Sequence, residues 1–303
     1  MLAPVNRSTP PDMLLRIFSI IFPVFAIAAI GFAYGRHKRP DMALANQLNM
    51  DLFVPALVFG ALSSKSFDLA AYQTLALAGA AVILGSGLIA WPFARWLKAD
   101  YRTFVPPMMF NNSGNMGLPL VLLAFGDAAL PAAIVLFIVE MTLHFSVGAY
   151  ILDHRLRLTR LVRVPVIVAT VLGLGFSAAS WSLPDPVETV VAMLGDIAIP
   201  LLLFSLGVRL TEVSLRDWHL GVIGAVLGPA AGLAIVWAAG SILALPPQQL
   251  SVLIVFGALP PAVLNYIVAE QYGQEPEKVA SIVMLGNLGS LVVIPVALAV
   301  ALT

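Results

Sequence analysis

The chain has 303 residues, of which 60% are hydrophobic and only 11% are charged. Soluble domains carry about 25% charged residues, and a soluble fold of this length could not hide so much apolar side chain from water. The composition therefore indicates a protein whose apolar surface faces a lipid bilayer. The chain has no cysteine, which excludes thiolate catalysis and cysteine metal sites. Its formal net charge is zero, and no nucleic acid partner is expected.

Ten stretches of mostly apolar residues follow one another along the chain. A membrane-spanning helix needs about 20 such residues. In chain order the predicted spans, numbered 1 to 10, cover residues 14–34, 43–62, 72–96, 104–124, 129–152, 162–181, 187–207, 220–245, 250–269 and 279–302. The first is interpreted as a retained helix rather than a signal peptide, because its basic cluster follows the apolar run. The pattern predicts an all-α polytopic membrane protein with short loops.

The basic residues are distributed unevenly between the two sides of the predicted membrane. Of the 16 Lys and Arg residues, 13 fall on one side. They are Arg36, Lys38, Arg39, Arg95, Lys98, Arg102, Arg155, Arg157, Arg160, Arg163, Arg209, Arg216 and Lys278. The other side has Arg7, Arg16 and Lys65. Because cytoplasmic loops carry the excess of Lys and Arg, both termini are expected on the periplasmic side of a bacterial inner (plasma) membrane.

The two halves of the chain share a sequence pattern. Asp51 and Pro55 in span 2 recur as Asp196 and Pro200 in span 7, at an offset of 145 positions, and the ends of spans 4 and 9 match at an offset of 147. Five spans per half is an odd number, so the two halves must have opposite orientations. We predict a 5+5 inverted repeat of residues 1–152 and 153–303, which is typical of secondary transporters. Chance similarity between apolar segments is the alternative.

Spans 4 and 9 each contain residues that disrupt a regular helix. Span 4 has three asparagines, two glycines and a proline within residues 111–119, and span 9 has a Pro-Pro pair followed by an asparagine. Such residues free backbone groups, which in a membrane must face protein or water. Corresponding breaks in two halves indicate a transporter's binding site; proline kinks with small packing residues are the alternative. The predicted substrate-binding residues are Asn111, Asn112, Asn115, Gly117, Pro119, Pro260, Pro261 and Asn265.

The pattern Asn-Asn-x-Gly-Asn-x-Gly-x-Pro at 111–119, together with Leu-Pro-Pro-Ala at 259–262, resembles the auxin efflux carrier family. The bacterial branch of that family includes malonate and other carboxylate permeases, and its fold is related to that of bile-acid:sodium symporters. The resemblance implies that broken helices 4 and 9 cross. It also implies a scaffold of spans 1, 2, 6 and 7, a transport domain of spans 3–5 and 8–10 that moves like an elevator, and a homodimer. The residues that match the family's substrate crossover are Asn112, Asn115, Pro119, Pro260, Pro261 and Asn265.

Ionisable residues within spans are candidates for function. Glu140 and His144 lie one turn apart on the same face of span 5, and at the offset of 147 Glu140 matches Asn287 in span 10. We predict that Glu140, His144, Asn287 and Asn115 couple transport to an ion, with Na⁺ held by Asn115, Glu140 and Asn287, or with H⁺ carried by the Glu140–His144 pair. A protonated Glu140 with a purely structural role is the alternative.

Asp51 and Asp196 fall in the scaffold that the resemblance implies. They are interpreted either as residues that support the transport domain or titrate during the transport cycle, or as groups that bond only to Asn49 or to the backbone.

These features together predict a secondary active transporter of a small organic anion, such as malonate, another carboxylate or an auxin-like acid. No Lys or Arg falls mid-span, so the substrate's charge is expected to be met by amides and helix ends. A Na⁺-coupled symporter of amphipathic, bile-acid-like anions is the alternative within transporters. An intramembrane enzyme and a sensor built on a transporter fold are the alternatives outside them, but no catalytic motif or cofactor site is present to favour an enzyme.

Overall fold

A computed structural model describes residues 10–63, 68–153, 164–211 and 217–303, and within these ranges every element is helical. The predicted cytoplasmic residues 155–163 and Arg216, and the predicted external Arg7 and Lys65, lie outside the described residues. The helices are α1 Pro10–Lys38, α2 Ala43–Leu48, α3 Val54–Leu62, α4 Leu69–Trp96, α5 Tyr101–Met109, α6 Leu118–Phe125, α7 Leu130–Leu143, α8 Ala149–Leu152, α9 Pro165–Ala178, α10 Asp185–Arg209, α11 Trp218–Ile242, α12 Pro247–Gly257, α13 Leu264–Tyr272 and α14 Pro276–Ala301. Shorter helical turns join several of these helices, with a 3₁₀ turn at Asp127–Ala129 and π-helical turns at Asn49–Phe53, Ser113–Gly117 and His144–Gly148.

Six segments of the described chain are long and apolar enough to cross a membrane, with mean hydropathies between 1.9 and 2.4. They are Asp12–Lys38, Ala70–Trp96, Asp127–Leu152, Asp185–Arg209, Trp218–Ile242 and Pro276–Ala301. Each falls on one of the predicted spans 1, 3, 5, 7, 8 and 10. The prediction of an all-α polytopic membrane protein is confirmed.

The other four predicted spans are shorter or interrupted helices. In span 2 a π-helical turn, Asn49–Phe53, separates α2 from α3. Pro55 follows this turn and has no N–H to continue the ladder of hydrogen bonds, which accounts for the local widening of the helix. Span 6 appears as α9, and spans 4 and 9 are each divided by a non-helical segment. The total of ten spans in two inverted halves stays a prediction.

Glycines allow two helix pairs to approach closely. A Cβ added at Gly207 of α10 would lie 1.9 Å from the carbonyl oxygen of Ala28 in α1, and one added at Gly232 of α11 would lie 2.1 Å from that of Gly257 in α12. Small residues commonly permit such backbone contacts between membrane helices. Helix α10 also packs against α3, which packs against α9, whereas α11 packs against α4, α12 and α14. The π-helical turn Ser113–Gly117, which follows the break of span 4, contacts α10 of the first set and α12 of the second.

Candidate functional site

The break in span 4 lies at residues 110–112. Helix α5 ends at Met109, and the backbone of Phe110 is extended, with φ −100° and ψ 102°. A π-helical turn, Ser113–Gly117, then leads into α6, and Pro119, which has no N–H to continue the ladder of hydrogen bonds, follows this turn as Pro55 does in span 2. The break is therefore upstream of the predicted Gly117 and Pro119, which lie in the restarted helix.

The break in span 9 coincides with the Pro-Pro pair. Helix α12 ends at Gly257, and α13 begins at Leu264. Pro260 and Pro261 between them have no N–H groups, so a continuous helix would lose two hydrogen bonds and meet two ring clashes. The position of this break can therefore be predicted from the sequence alone.

The two breaks hydrogen-bond to each other through their backbones. The Asn112 N–H donates to the Pro260 carbonyl oxygen at 2.7 Å, and the Ala262 N–H donates to the Phe110 carbonyl oxygen at 3.0 Å. This reciprocal pair satisfies groups that lipid could not. The two segments form an antiparallel bridge centred on Asn111 and Pro261. Exchanging the two breaks leaves this pair of bonds unchanged if Phe110 takes the place of Pro260 and Asn112 that of Ala262, an offset of 150 positions that also relates Asn115 to Asn265. The offset at the breaks is thus larger than the 147 positions at the span ends.

Side-chain amides reinforce this junction. Asn265 Nδ2 donates to the Phe110 carbonyl oxygen at 2.8 Å, and Asn111 Nδ2 donates to the Phe256 carbonyl oxygen at 2.7 Å. Asn265 of α13 thus bonds to the break of span 4, and Asn111 of that break bonds to the last turn of α12, just before the break of span 9. Asn265 itself is 4% exposed.

Glu140 and His144 form a buried pair next to the first break, and each is 2% exposed. His144 Nδ1 lies 3.2 Å from Glu140 Oε1, and Ser113 Oγ donates to Glu140 Oε2 at 3.1 Å. The imidazole stacks on the ring of Phe110, with 4.2 Å between centroids. A Cβ at Gly148 would lie 2.6 Å from that phenyl ring, so glycine makes room for the stack. The pair thus contacts the first break at Phe110 and the π-helical turn that follows it at Ser113.

Asn287 contacts both breaks from α14. Its Nδ2 donates to the Pro261 carbonyl oxygen at 3.1 Å and to the Val283 carbonyl oxygen at 2.8 Å, and its Oδ1 accepts from Asn112 Nδ2 at 3.1 Å. The amide that was predicted as an ion ligand therefore bonds to protein groups with both of its ends.

A cavity of about 130 Å³ lies against the first break. Of the predicted site residues, it brings together Asn111, Asn112, Asn115 and Glu140. Gly117, Pro119, Pro260, Pro261 and Asn287 are not among its lining residues in the described chain, and His144 and Asn265 line a separate gap of about 10 Å³.

The opposite wall of the cavity was not predicted. It consists of Asn46 and Asn49 from span 2 and Ser205 and Arg209 from α10. Ser205 Oγ and Asn49 Oδ1 are buried without a hydrogen-bond partner in the described structure. Ser205 and Arg209 lie four residues apart on one helical face. Two polar residues at this spacing in an apolar span would have allowed this side of the cavity to be predicted from the sequence.

The predicted scaffold residues Asp51 and Asp196 lie away from this cavity, with exposed side chains. Asp196 lines a pocket of about 480 Å³ at the predicted periplasmic end, together with Asp185 and Glu188. Asn49, which was considered as a partner for Asp51, instead donates to the Ala198 carbonyl oxygen at 3.3 Å.

Long apolar helices, with two broken helices bonded to each other beside an amide-lined cavity, define a membrane transporter. The chain belongs to the membrane transport protein family (Mem_trans), which is the auxin efflux carrier family, and the pattern of that family matches residues 16–159 and 154–298. It is thus a member of a family of transporters and not of enzymes.

Two relatives match nearly the whole chain. An "Uncharacterized transporter" of Methanothermobacter thermautotrophicus is 29% identical over 298 residues, covering 91% of this chain and 95% of the relative. A protein of Rhizobium meliloti that is named "Putative malonate transporter" is 24% identical over 304 residues, covering 91% and 92% of the two chains.

Proposed function

We propose that this protein is a secondary transporter of small organic anions, mono- or dicarboxylates such as malonate, that binds its substrate at the paired helix breaks. The observation that carries the proposal is the reciprocal bonding of the two breaks beside a cavity lined by Asn111, Asn112 and Asn115. Amide N–H groups and the N-terminus of α13 offer hydrogen bonds and partial positive charge to a carboxylate. The malonate in the name of one relative supports this substrate class.

The size of the cavity favours a small substrate. Its volume of about 130 Å³ has room for several water molecules. Sites for drug-sized ligands occupy about 300–1,000 Å³. A carboxylate of a few heavy atoms fits the space beside the breaks, whereas a bile-acid-like anion would also have to occupy the adjoining pocket of about 350 Å³.

The cavity extends toward the basic end of the molecule. It shares Asn46, Arg209, Val263 and Ile267 with a second pocket of about 350 Å³, which reaches Glu270. The pocket of about 480 Å³ at the opposite end shares no described lining residue with it. We infer an inward-open state of an alternating-access cycle.

We also infer that the protein has the architecture that the sequence predicts. Ten spans form a 5+5 inverted repeat with crossing helices 4 and 9, and both termini are periplasmic in a bacterial inner membrane. Spans 1, 2, 6 and 7 act as the scaffold, through which two copies form a homodimer, and spans 3–5 and 8–10 carry the substrate. The packing of α10 with α1 and α3, and of α11 with α4, α12 and α14, supports this division.

For the coupling ion we favour H⁺ over Na⁺. Both oxygens of Glu140 have partners within hydrogen-bond reach, and Asn287 Oδ1 accepts from Asn112. A sodium ion held by Asn115, Glu140 and Asn287 would have to displace these bonds. With Nδ1–H donating to Glu140, the His144 imidazole can take up a proton at Nε2 without displacing them.

Uptake of labelled malonate into liposomes that contain the purified protein tests the proposal. We expect saturable uptake, its loss in Asn115→Ala, and a response to an imposed pH gradient that disappears in Glu140→Gln. Asp127→Asn is the matched control, because this exposed carboxylate lies at one end of the span that contains Glu140 and does not line the cavity. Failure to transport any small carboxylate under a pH or Na⁺ gradient would contradict the function. A pH response that persists in Glu140→Gln would contradict only the coupling.

A further inference from the structure

We propose that Arg209 is a specificity-determining residue that makes the cavity select dicarboxylates over monocarboxylates. This inference rests on the proposed function and deepens it. One carboxylate of the substrate lies against the amides at the helix breaks, and the other lies against the Arg209 guanidinium on the facing wall.

The helical face of α10 places Arg209 in position. Leu202, Ser205 and Arg209 follow the spacing of one helical face, and all three line the cavity. At a rise of about 1.5 Å per residue, Arg209 lies roughly 6 Å nearer the predicted cytoplasmic end than Ser205. It also lines the adjoining pocket of about 350 Å³, so an anion entering from that end meets it before the amides.

The charges on the cavity wall give Arg209 this role. Among the described lining residues Arg209 is the basic group and Glu140 the acidic one, so Arg209 is the lining side chain that attracts an anion. A second substrate carboxylate would be repelled by the C-terminal carbonyls of α10, which ends at Arg209. A guanidinium offsets this repulsion and can donate two parallel hydrogen bonds to a carboxylate, which a lysine ammonium cannot.

The test compares two ligands of nearly identical size, malonate and its monoamide malonamate, which lacks one negative charge. Binding is measured by calorimetry on the full-length protein purified in detergent. We expect the wild type to bind malonate about tenfold or more tightly than malonamate, as charge-assisted hydrogen bonds to a guanidinium suggest. Arg209→Gln should bring the two affinities to within about threefold by weakening malonate binding, and Arg209→Lys should fall between these results.

Arg95→Gln is the control, because it removes the same charge from the same predicted side of the membrane at an exposed position outside the cavity. It should keep the wild-type preference. Equal affinity of the wild type for malonate and malonamate would overturn the inference without any variant. So would an Arg209→Gln protein that retains the preference or loses both ligands equally. If the wild type binds neither ligand nor any other small carboxylate, the result contradicts the proposed function as well.

Discussion

Asn287 bonds to both helix breaks, so removing its amide tests how the breaks are held together. Asn287→Ala removes the hydrogen bond from Asn112 Nδ2 at 3.1 Å and the one to the Pro261 carbonyl oxygen, also at 3.1 Å. It also removes a bond to Val283 in the same helix, whose carbonyl can still accept from the helical backbone. Two bonds between separate segments are therefore lost.

Hydrogen bonds between membrane helices contribute about 0.6 kcal/mol on average and at most about 1.7 kcal/mol. The side chain is 4% exposed, so water cannot readily replace the lost partners. The two bonds together give an expected loss of about 1–3 kcal/mol in the free energy of unfolding. Thermal unfolding in detergent measures it, and Gln248→Ala, which removes an exposed amide, is expected to change nothing measurable.

A double-mutant cycle separates the bond between Asn112 and Asn287 from the rest. Each single alanine variant loses this same bond, so the double variant should cost less than the sum of the two. Strictly additive losses, or an Asn287→Ala protein as stable as the wild type, would refute the view that α14 holds the two breaks together through this amide.

Two further predictions concern the frame around the site. Gly232→Ala brings a methyl group to 2.1 Å from the Gly257 carbonyl oxygen, so α11 and α12 must separate at a cost of about 1–3 kcal/mol. Gly175→Ala meets no atom within 4 Å and should be neutral or stabilising, and equal thermal stability of the two variants would contradict the close approach. Outside the membrane, a hydrogen bond from Lys278 lowers the pKa of Glu275 below 4.5. Its stabilising effect is therefore present above pH 4.5 and is lost as the pH falls further. Because Glu275 is 37% exposed, the effect is under about 1 kcal/mol. Thermal unfolding of Glu275→Gln against pH checks this, and a difference from the wild type that grows below pH 4.5 would contradict it.

The positions of the helices and of the breaks were largely predictable, since they depend on local properties. A run of about 20 apolar residues forms a helix in a membrane whatever its neighbours are, because its backbone must bond internally. Pro260 and Pro261 cannot donate hydrogen bonds, so a break in span 9 follows from covalent structure. In span 4 the prediction was less accurate, because Gly117 and Pro119 lie in the helix that restarts after the break.

The register between the two halves was only partly predictable. The offset of 147 positions matched Glu140 with Asn287, but the backbone bonds at the breaks match Asn112 with Ala262. The offset at the breaks differs from the offset at the span ends, and a match between apolar segments carries too little information to locate such a shift. The correspondence of Asn115 with Asn265 was found from the hydrogen bonds and not from the sequence pattern.

The sequence by itself determined that the chain is a helical membrane protein of this transporter family, with helix-disrupting residues in spans 4 and 9. Only the tertiary structure decided which groups meet at those breaks. It placed Ser205 and Arg209 on the cavity wall, and it showed that both the oxygen and the nitrogen of the Asn287 amide bond to protein groups. Apolar length and missing N–H groups act within a few residues of one helix. Which helical faces converge depends on the packing of segments that are far apart in the chain.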